Sequence, residues 1–101
     1  MQIEGANGRT VVRLSGEIDL ANVDDLEARI GGAIAGEADV VIDLTAVDFI
    51  DSRGLRLLKR VSASVAGRDG TLVIVAPGSS IARSVLDMTG MSDELAVRDS
   101  L

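Results

Sequence analysis

Apolar and polar positions follow two different periods along this chain, and each change of period marks a new element. Gln2 to Ala6 has weak strand character and ends at Asn7-Gly8, a pair suited to the positive backbone angles of a hairpin turn. Thr10-Val11-Val12-Arg13-Leu14 is rich in β-branched residues and reads as the returning strand, so the chain opens with a β-hairpin. Ser15 to Asp19 leaves that strand. The period then lengthens: Val23, Leu26, Ile30, Ala33 and Ile34 fall on one stripe of an α-helix. Asn22 can cap its start, and Asp24 and Asp25 suit the positive end of its dipole. Gly31-Gly32 lowers its propensity, and Gly36 can end it.

Val40 to Leu44 is too continuously apolar for a half-exposed strand, which predicts a central strand covered on both faces. Thr45 to Asp51 reads as a loop whose Val47, Phe49 and Ile50 fold inward. From Ser52 a second helix is predicted, with Leu57, Leu58, Val61 and Val65 as its apolar stripe and Arg53, Arg56 and Arg60 as a basic stripe beside it. Gly67 and Asp69-Gly70 end it. Thr71 to Ala76 is a further buried strand, broken by Pro77-Gly78. Ser79 or Ser80 can cap a third helix carrying Ile81, Val85 and Met88, which Gly90 stops. Glu94 to Val97 is a short edge-strand candidate. The order β-β-α-β-α-β-α-β predicts an α/β fold: one domain over residues 1–101, with a mixed, mainly parallel sheet of 4–5 strands and helices packed against it.

Composition narrows what such a domain can do. An apolar fraction of 47% supports one core, but with one phenylalanine, no tyrosine and no tryptophan that core is aliphatic. Few aromatics and a net charge of −6 argue against nucleic acid as the partner. There is no cysteine and no histidine, which removes disulfides, zinc sites and a Ser-His-Asp triad. No long apolar run or basic-then-apolar leader is present, so a cytoplasmic protein without a membrane span is expected. No glycine-rich phosphate loop points to a bound nucleotide, and no cofactor is expected.

Two residue groups could carry chemistry. Asp43, Asp48 and Asp51 lie near one strand end, where carboxylates can hold Mg²⁺, but solvated loop acids beside a helix start are the favoured reading, because the three stand apart and no lysine follows the last strand. Ser52 has three readings. It could be an N-cap, its hydroxyl accepting a bond from a free amide. It could be a nucleophile, but no histidine is available and the glycine two residues before it is missing. It could be a phosphorylation site, because a helix start offers exposure, free amides and a favourable dipole for an added phosphate.

The segments Gly16-Glu17-Ile18-Asp19-Leu20-Ala21 and Val41 to Leu55, with Asp51-Ser52-Arg53-Gly54-Leu55 at its end, resemble the STAS domain family, and within it the bacterial anti-sigma factor antagonists. The stretch Leu86-Asp87-Met88-Thr89-Gly90-Met91 is similar to the family's third helix and the turn after it. The resemblance implies that Ser52 is phosphorylated by an anti-sigma factor acting as a serine kinase, and that a metal-dependent serine phosphatase restores it. It implies that Asp19, in the loop before the first helix, lies near that serine, with Asp51 preceding it. It implies that Gly54 lets the helix approach a partner closely. The expected partner face is Asp19, Asn22, Asp51, Arg53, Gly54 and Arg56. Thr45 matches a second hydroxyl position of some relatives, and here it reads as a buried loop threonine. Arg53 and Arg56 depart from the family, where small residues are common. The function implied is partner switching: the unmodified protein binds the anti-sigma factor and releases the sigma factor, with no enzymatic activity of its own. The alternative is a phosphate-independent scaffold or the partner of a membrane transporter.

Overall fold

The computed structural model describes residues 1–101. The elements are β1 (Gln2–Ala6), β2 (Arg9–Ile18), α1 (Val23–Ala33), β3 (Asp39–Ile50), α2 (Ser52–Ala66), β4 (Thr71–Val75), α3 (Ile81–Met88), α4 (Met91–Glu94) and β5 (Val97–Arg98). The five strands form one sheet in the order β1-β2-β3-β4-β5. β1 runs antiparallel to β2 through the turn at Asn7-Gly8, and every other neighbouring pair is parallel. Parallel neighbours need crossovers, and the helices supply them.

Burial explains the layering. The main core joins Val12, Leu14 and Ile18 of β2, Val40, Ile42 and Leu44 of β3, and Leu72 and Ile74 of β4 to the helices. Every buried apolar residue of α1, α2, α3 and α4 belongs to this cluster, so all four helices cover the same face of the sheet. Leu57, Leu58, Val61 and Val65, the predicted stripe of α2, are all buried in it. Burying one such side chain contributes on the order of 1.5–3 kcal/mol. On the other face Val11, Val41 and Val75 form a separate small cluster with Ala6 against it. β3 is therefore central and buried on both faces, as its continuous apolar run predicts. Its second face, however, is covered by neighbouring side chains rather than by a helix.

The segment Thr45 to Ile50 is strand, not loop. Two register shifts against β2 account for the difference: Arg13 and Ser15 pair with Asp43 and Ala46, and Gly16 and Glu17 pair with Val47 and Phe49. Each shift gives β3 one extra residue, so its buried positions become Leu44, Val47 and Ile50, every third residue. β2 correspondingly runs on to Ile18 through Gly16, whose φ is +75°. Val47 and Ile50 face inward as expected. Phe49 does not; 49% of it is exposed.

The third helix also turns a different face inward. Ala82 and Leu86 are buried, whereas Ile81 and Met88 are exposed. Small Ala82 allows a closer approach to the sheet than a stripe led by Ile81 would. Ser80 supplies the cap, its Oγ accepting from the Arg83 amide at 3.1 Å. The predicted edge strand at Glu94 to Val97 is displaced, because Met91–Glu94 forms a helical turn and the strand begins at Val97. No helix is long and apolar enough to cross a membrane.

Candidate functional site

β2 and β3 end side by side, with Ile18 paired to Ile50 and the Asp51 amide donating to the Ile18 carbonyl at 3.2 Å. The chain turns into α2 there, and Asp51 rather than Ser52 is the N-cap. Its extended backbone directs Oδ1 at the helix start, where it accepts from the Arg53 amide at 2.9 Å and the Gly54 amide at 3.1 Å. The bond from the Asp51 amide to Ile18 fixes that extended backbone, so aspartate takes the cap with charge-assisted bonds and the serine is released from it. Ser52 becomes the first helical residue, exposed, with no hydrogen-bond partner for its hydroxyl. Two of the amides expected to favour a phosphate there, those of Arg53 and Gly54, are consequently engaged already.

Asp51 Oδ2 also accepts from the Leu20 amide at 3.3 Å, which ties the β2–α1 loop to the start of α2. That loop holds its own shape. Asp19 Oδ1 accepts from the Ala21 amide at 2.9 Å, and the Asp19 carbonyl accepts from the Asn22 and Val23 amides. Asn22 does not cap α1 with its side chain, contrary to the sequence expectation. Its Nδ2 donates to the Glu17 carbonyl at 2.6 Å and its Oδ1 accepts from the Asp19 amide at 3.0 Å, so it closes the loop instead.

Gly54 is buried beneath this junction. A Cβ there would stand 2.6 Å from Ile50 Cγ1, 2.9 Å from Ile18 Cγ2 and 3.1 Å from the Ile18 carbonyl oxygen. The close approach that glycine permits is therefore inward, between α2 and the strand ends, rather than toward a partner as the resemblance suggested. Asp19, Asn22 and Asp51 are partly buried, while Ser52, Arg53 and Arg56 are exposed.

Two exposed apolar residues accompany them that the sequence reading did not select. Leu20 is 63% exposed in the loop bonded to Asp51, and Phe49 lies two residues before Asp51 on β3. A signal for both was present, since each is a large apolar residue directly beside a candidate polar position. Behind them, Arg53, Arg56 and Arg60 line a shallow depression of about 160 Å³ with Val23 and Asp24. Arg60 is neutralised by two 2.9 Å bonds to Glu27, and this hydrogen bonding holds the Glu27 carboxyl below its ordinary range and raises Arg60. Arg53 and Arg56 make no ion pair.

The three candidate metal carboxylates are not gathered, and no group of three such side chains converges anywhere in the chain. Asp43 is held instead by Thr45, through its hydroxyl at 2.5 Å and its amide at 2.9 Å, and by Arg13 at 3.2 Å. Partial burial pushes the Asp43 carboxyl up, but those bonds outweigh it and hold the group below its ordinary value. Thr45 is exposed, not buried, and lies in β3. Arg13 also pairs with Glu4, so the cluster fastens β1, β2 and β3 together. The largest depression, about 510 Å³, lies by the starts of β3 and β4 and includes none of the candidate site residues.

Comparison with known proteins gives this geometry its context. The anti-sigma-F factor antagonist RsfB of Mycobacterium tuberculosis is 39% identical over 80 residues, covering 78% of this chain. The match takes in 65% of RsfB, so the chain spans a little under two thirds of that relative's length. The crystal structure of an anti-sigma factor antagonist from Mycobacterium paratuberculosis superposes with a TM-score of 0.86 at 33% identity, covering 99% of this chain and 85% of that one. The Bacillus cell fate determinant SpoIIAA in its phosphorylated form gives a TM-score of 0.67 at 25% identity, over 96% of this chain and 89% of that one. The family model of the STAS domain matches residues 1–101, and on that full-length match the chain belongs to the STAS domain family.

Proposed function

We propose that this protein is an anti-sigma factor antagonist that works by partner switching, with Ser52 as its phosphorylation site. Unmodified, the edge formed by Leu20, Phe49, Ser52, Arg53 and Arg56 docks onto an anti-sigma factor, which then gives up its sigma factor. Asp19, Asn22, Asp51 and Gly54 hold that edge in shape from beneath. An anti-sigma factor of the serine-kinase type phosphorylates Ser52, and a metal-dependent serine phosphatase reverses the change. The protein is substrate and binder, not enzyme.

The observation that carries this reading is the state of Ser52: exposed, relieved of capping by Asp51, three residues after exposed Phe49 and next to the residue that bonds the loop of exposed Leu20. The similarity to antagonists at 39% and 33% identity supports the partner class, and a phosphorylated structural relative supports the chemistry. Phosphorylation adds roughly −1.5 to −2 charges at a surface that must lose water on docking. Stripping water from a dianion in an interface is costly even when a cation accompanies it, and a thousandfold loss of affinity requires only about 4 kcal/mol. The test is titration of the anti-sigma factor against wild type, Ser52→Ala and Ser52→Asp. Ser52→Ala should bind as wild type does and Ser52→Asp at least tenfold more weakly. Equal affinities for all three would end the proposal.

A further inference from the structure

A phosphoryl group on Ser52 would arrive where little is left to neutralise it. The Arg53 and Gly54 amides at the start of α2 already donate to Asp51 Oδ1. Asp51 itself contributes a carboxylate beside the serine, Asp19 lies in the adjoining loop, and Asp24 lies in the first turn of α1. A dianion added to this acidic neighbourhood gains from any unpaired cation of the same chain within reach.

Arg56 is placed to be that cation. It follows Ser52 by four residues on α2, so the two side chains leave the same helical face with Cβ atoms about 5–6 Å apart. An anion four residues before a cation is also the favourable order along a helix. Arg56 is exposed and pairs with no carboxylate, unlike the next two cations of the helix. Lys59 reaches Glu94 at 3.6 Å and Arg60 reaches Glu27 at 2.9 Å, so both are occupied. Arg53, also free, stands with Arg56 on the wall of the shallow depression against Val23 and Asp24.

We propose that Arg56, supported by Arg53, is a built-in clamp for the Ser52 phosphate. The inference rests on Ser52 being the phosphoacceptor and adds how the modified state is held. The phosphate folds against α2 and is neutralised internally, so it does not recruit a cationic partner. The clamp favours the dianion over the monoanion, because Arg56 gains more from the second negative charge.

The test installs phosphoserine at position 52 during translation, so that neither kinase nor partner is involved, and follows the ³¹P resonance against pH. The second ionisation, ordinarily near pH 6, should lie lower in the wild-type phosphoprotein than in Arg56→Gln by about 0.5 unit, a roughly threefold change in proton affinity. Arg53→Gln should shift it less, and Arg60→Gln should leave it in place because Glu27 holds that arginine. The difference should shrink in 1 M salt, where screening acts within about 3 Å. Coincident curves for wild type and Arg56→Gln would overturn the clamp. That result would leave the partner-switching reading intact, since Ser52→Asp tests it separately.

Discussion

Gly54→Ala is the sharpest test of how the site is held. Ordinary contacts between carbon atoms lie at about 3.5–4.0 Å. The new methyl would meet Ile50 Cγ1 at 2.6 Å and Ile18 Cγ2 at 2.9 Å, with the Ile18 carbonyl at 3.1 Å behind them. Neither isoleucine can give way by rotating outward, because both are at least 96% buried and β-branched. The helix must therefore lift from the strand ends by a substantial part of an ångström. Overpacking of this kind costs about 1–3 kcal/mol, and two rigid neighbours place this case in the upper half. Alanine returns up to about 1 kcal/mol in helix propensity. The net loss is about 1–2 kcal/mol, which for a domain of this size lowers the melting temperature by roughly 4–16 °C. The chain has no tryptophan or tyrosine, so urea unfolding is best followed by far-ultraviolet circular dichroism. The midpoint should fall by roughly 0.5–1 M at unchanged slope. Gly31→Ala is the control: it stands exposed in α1 with nothing within 4 Å of its Cβ position, so it should stabilise by up to about 1 kcal/mol. An unaltered or raised midpoint for Gly54→Ala would refute the packing argument.

Asp51→Ala should cost about 1–2 kcal/mol through loss of the α2 cap. Asp51→Ser should recover most of that stability without restoring the bond from the Leu20 amide. Hydrogen exchange at Leu20 should then be accelerated in both variants, and protection equal to wild type would contradict the proposed tie. Asp43→Asn addresses the other carboxylate. Its folded carboxyl lies below the ordinary value, so its contribution is present above about pH 4 and is lost as pH falls through the folded value. The variant should be less stable by about 1–2 kcal/mol at pH 7. Its urea midpoint should also fall less steeply than that of wild type below about pH 4. Parallel profiles would remove Asp43 from the account.

Much of this architecture was legible in residue patterns, and the exceptions have physical causes. Period and punctuation located the hairpin, α1, α2 and β4, because in each of them a single stripe or run determines the buried face. Past Leu44 the two extra residues of β3 replace the strand's period of two with a period of three, which imitates a loop containing apolar anchors. Val47 and Ile50 remained readable as inward-facing, but Phe49 did not, because its direction depends on the register with Glu17. In α3 the residues Ile81, Ala82, Val85, Leu86 and Met88 are apolar around more than one stripe, so periodicity cannot choose the buried face and shape against the sheet does. At the site, Asp51 and Ser52 both suit a helix start. Only the backbone geometry, with the Asp51 amide bonded to Ile18, shows which of them takes the cap. Asn22 likewise has a side chain suited to capping, but the Glu17 carbonyl and Asp19 amide engage it first.

The rhythm of three in the second half of β3 has a consequence for how this surface can change. Between Leu44 and Ile50 the spacing, more than the chemistry of Thr45, Ala46, Asp48 and Phe49, delivers the following turn to its place beside Ile18. Those outward positions are open to exchange without moving the turn that follows. Shortening the stretch by one residue would instead swing Ile50 toward water and carry Asp51 away from Leu20. The segment therefore behaves as a ruler whose markings can be repainted but whose length must be kept.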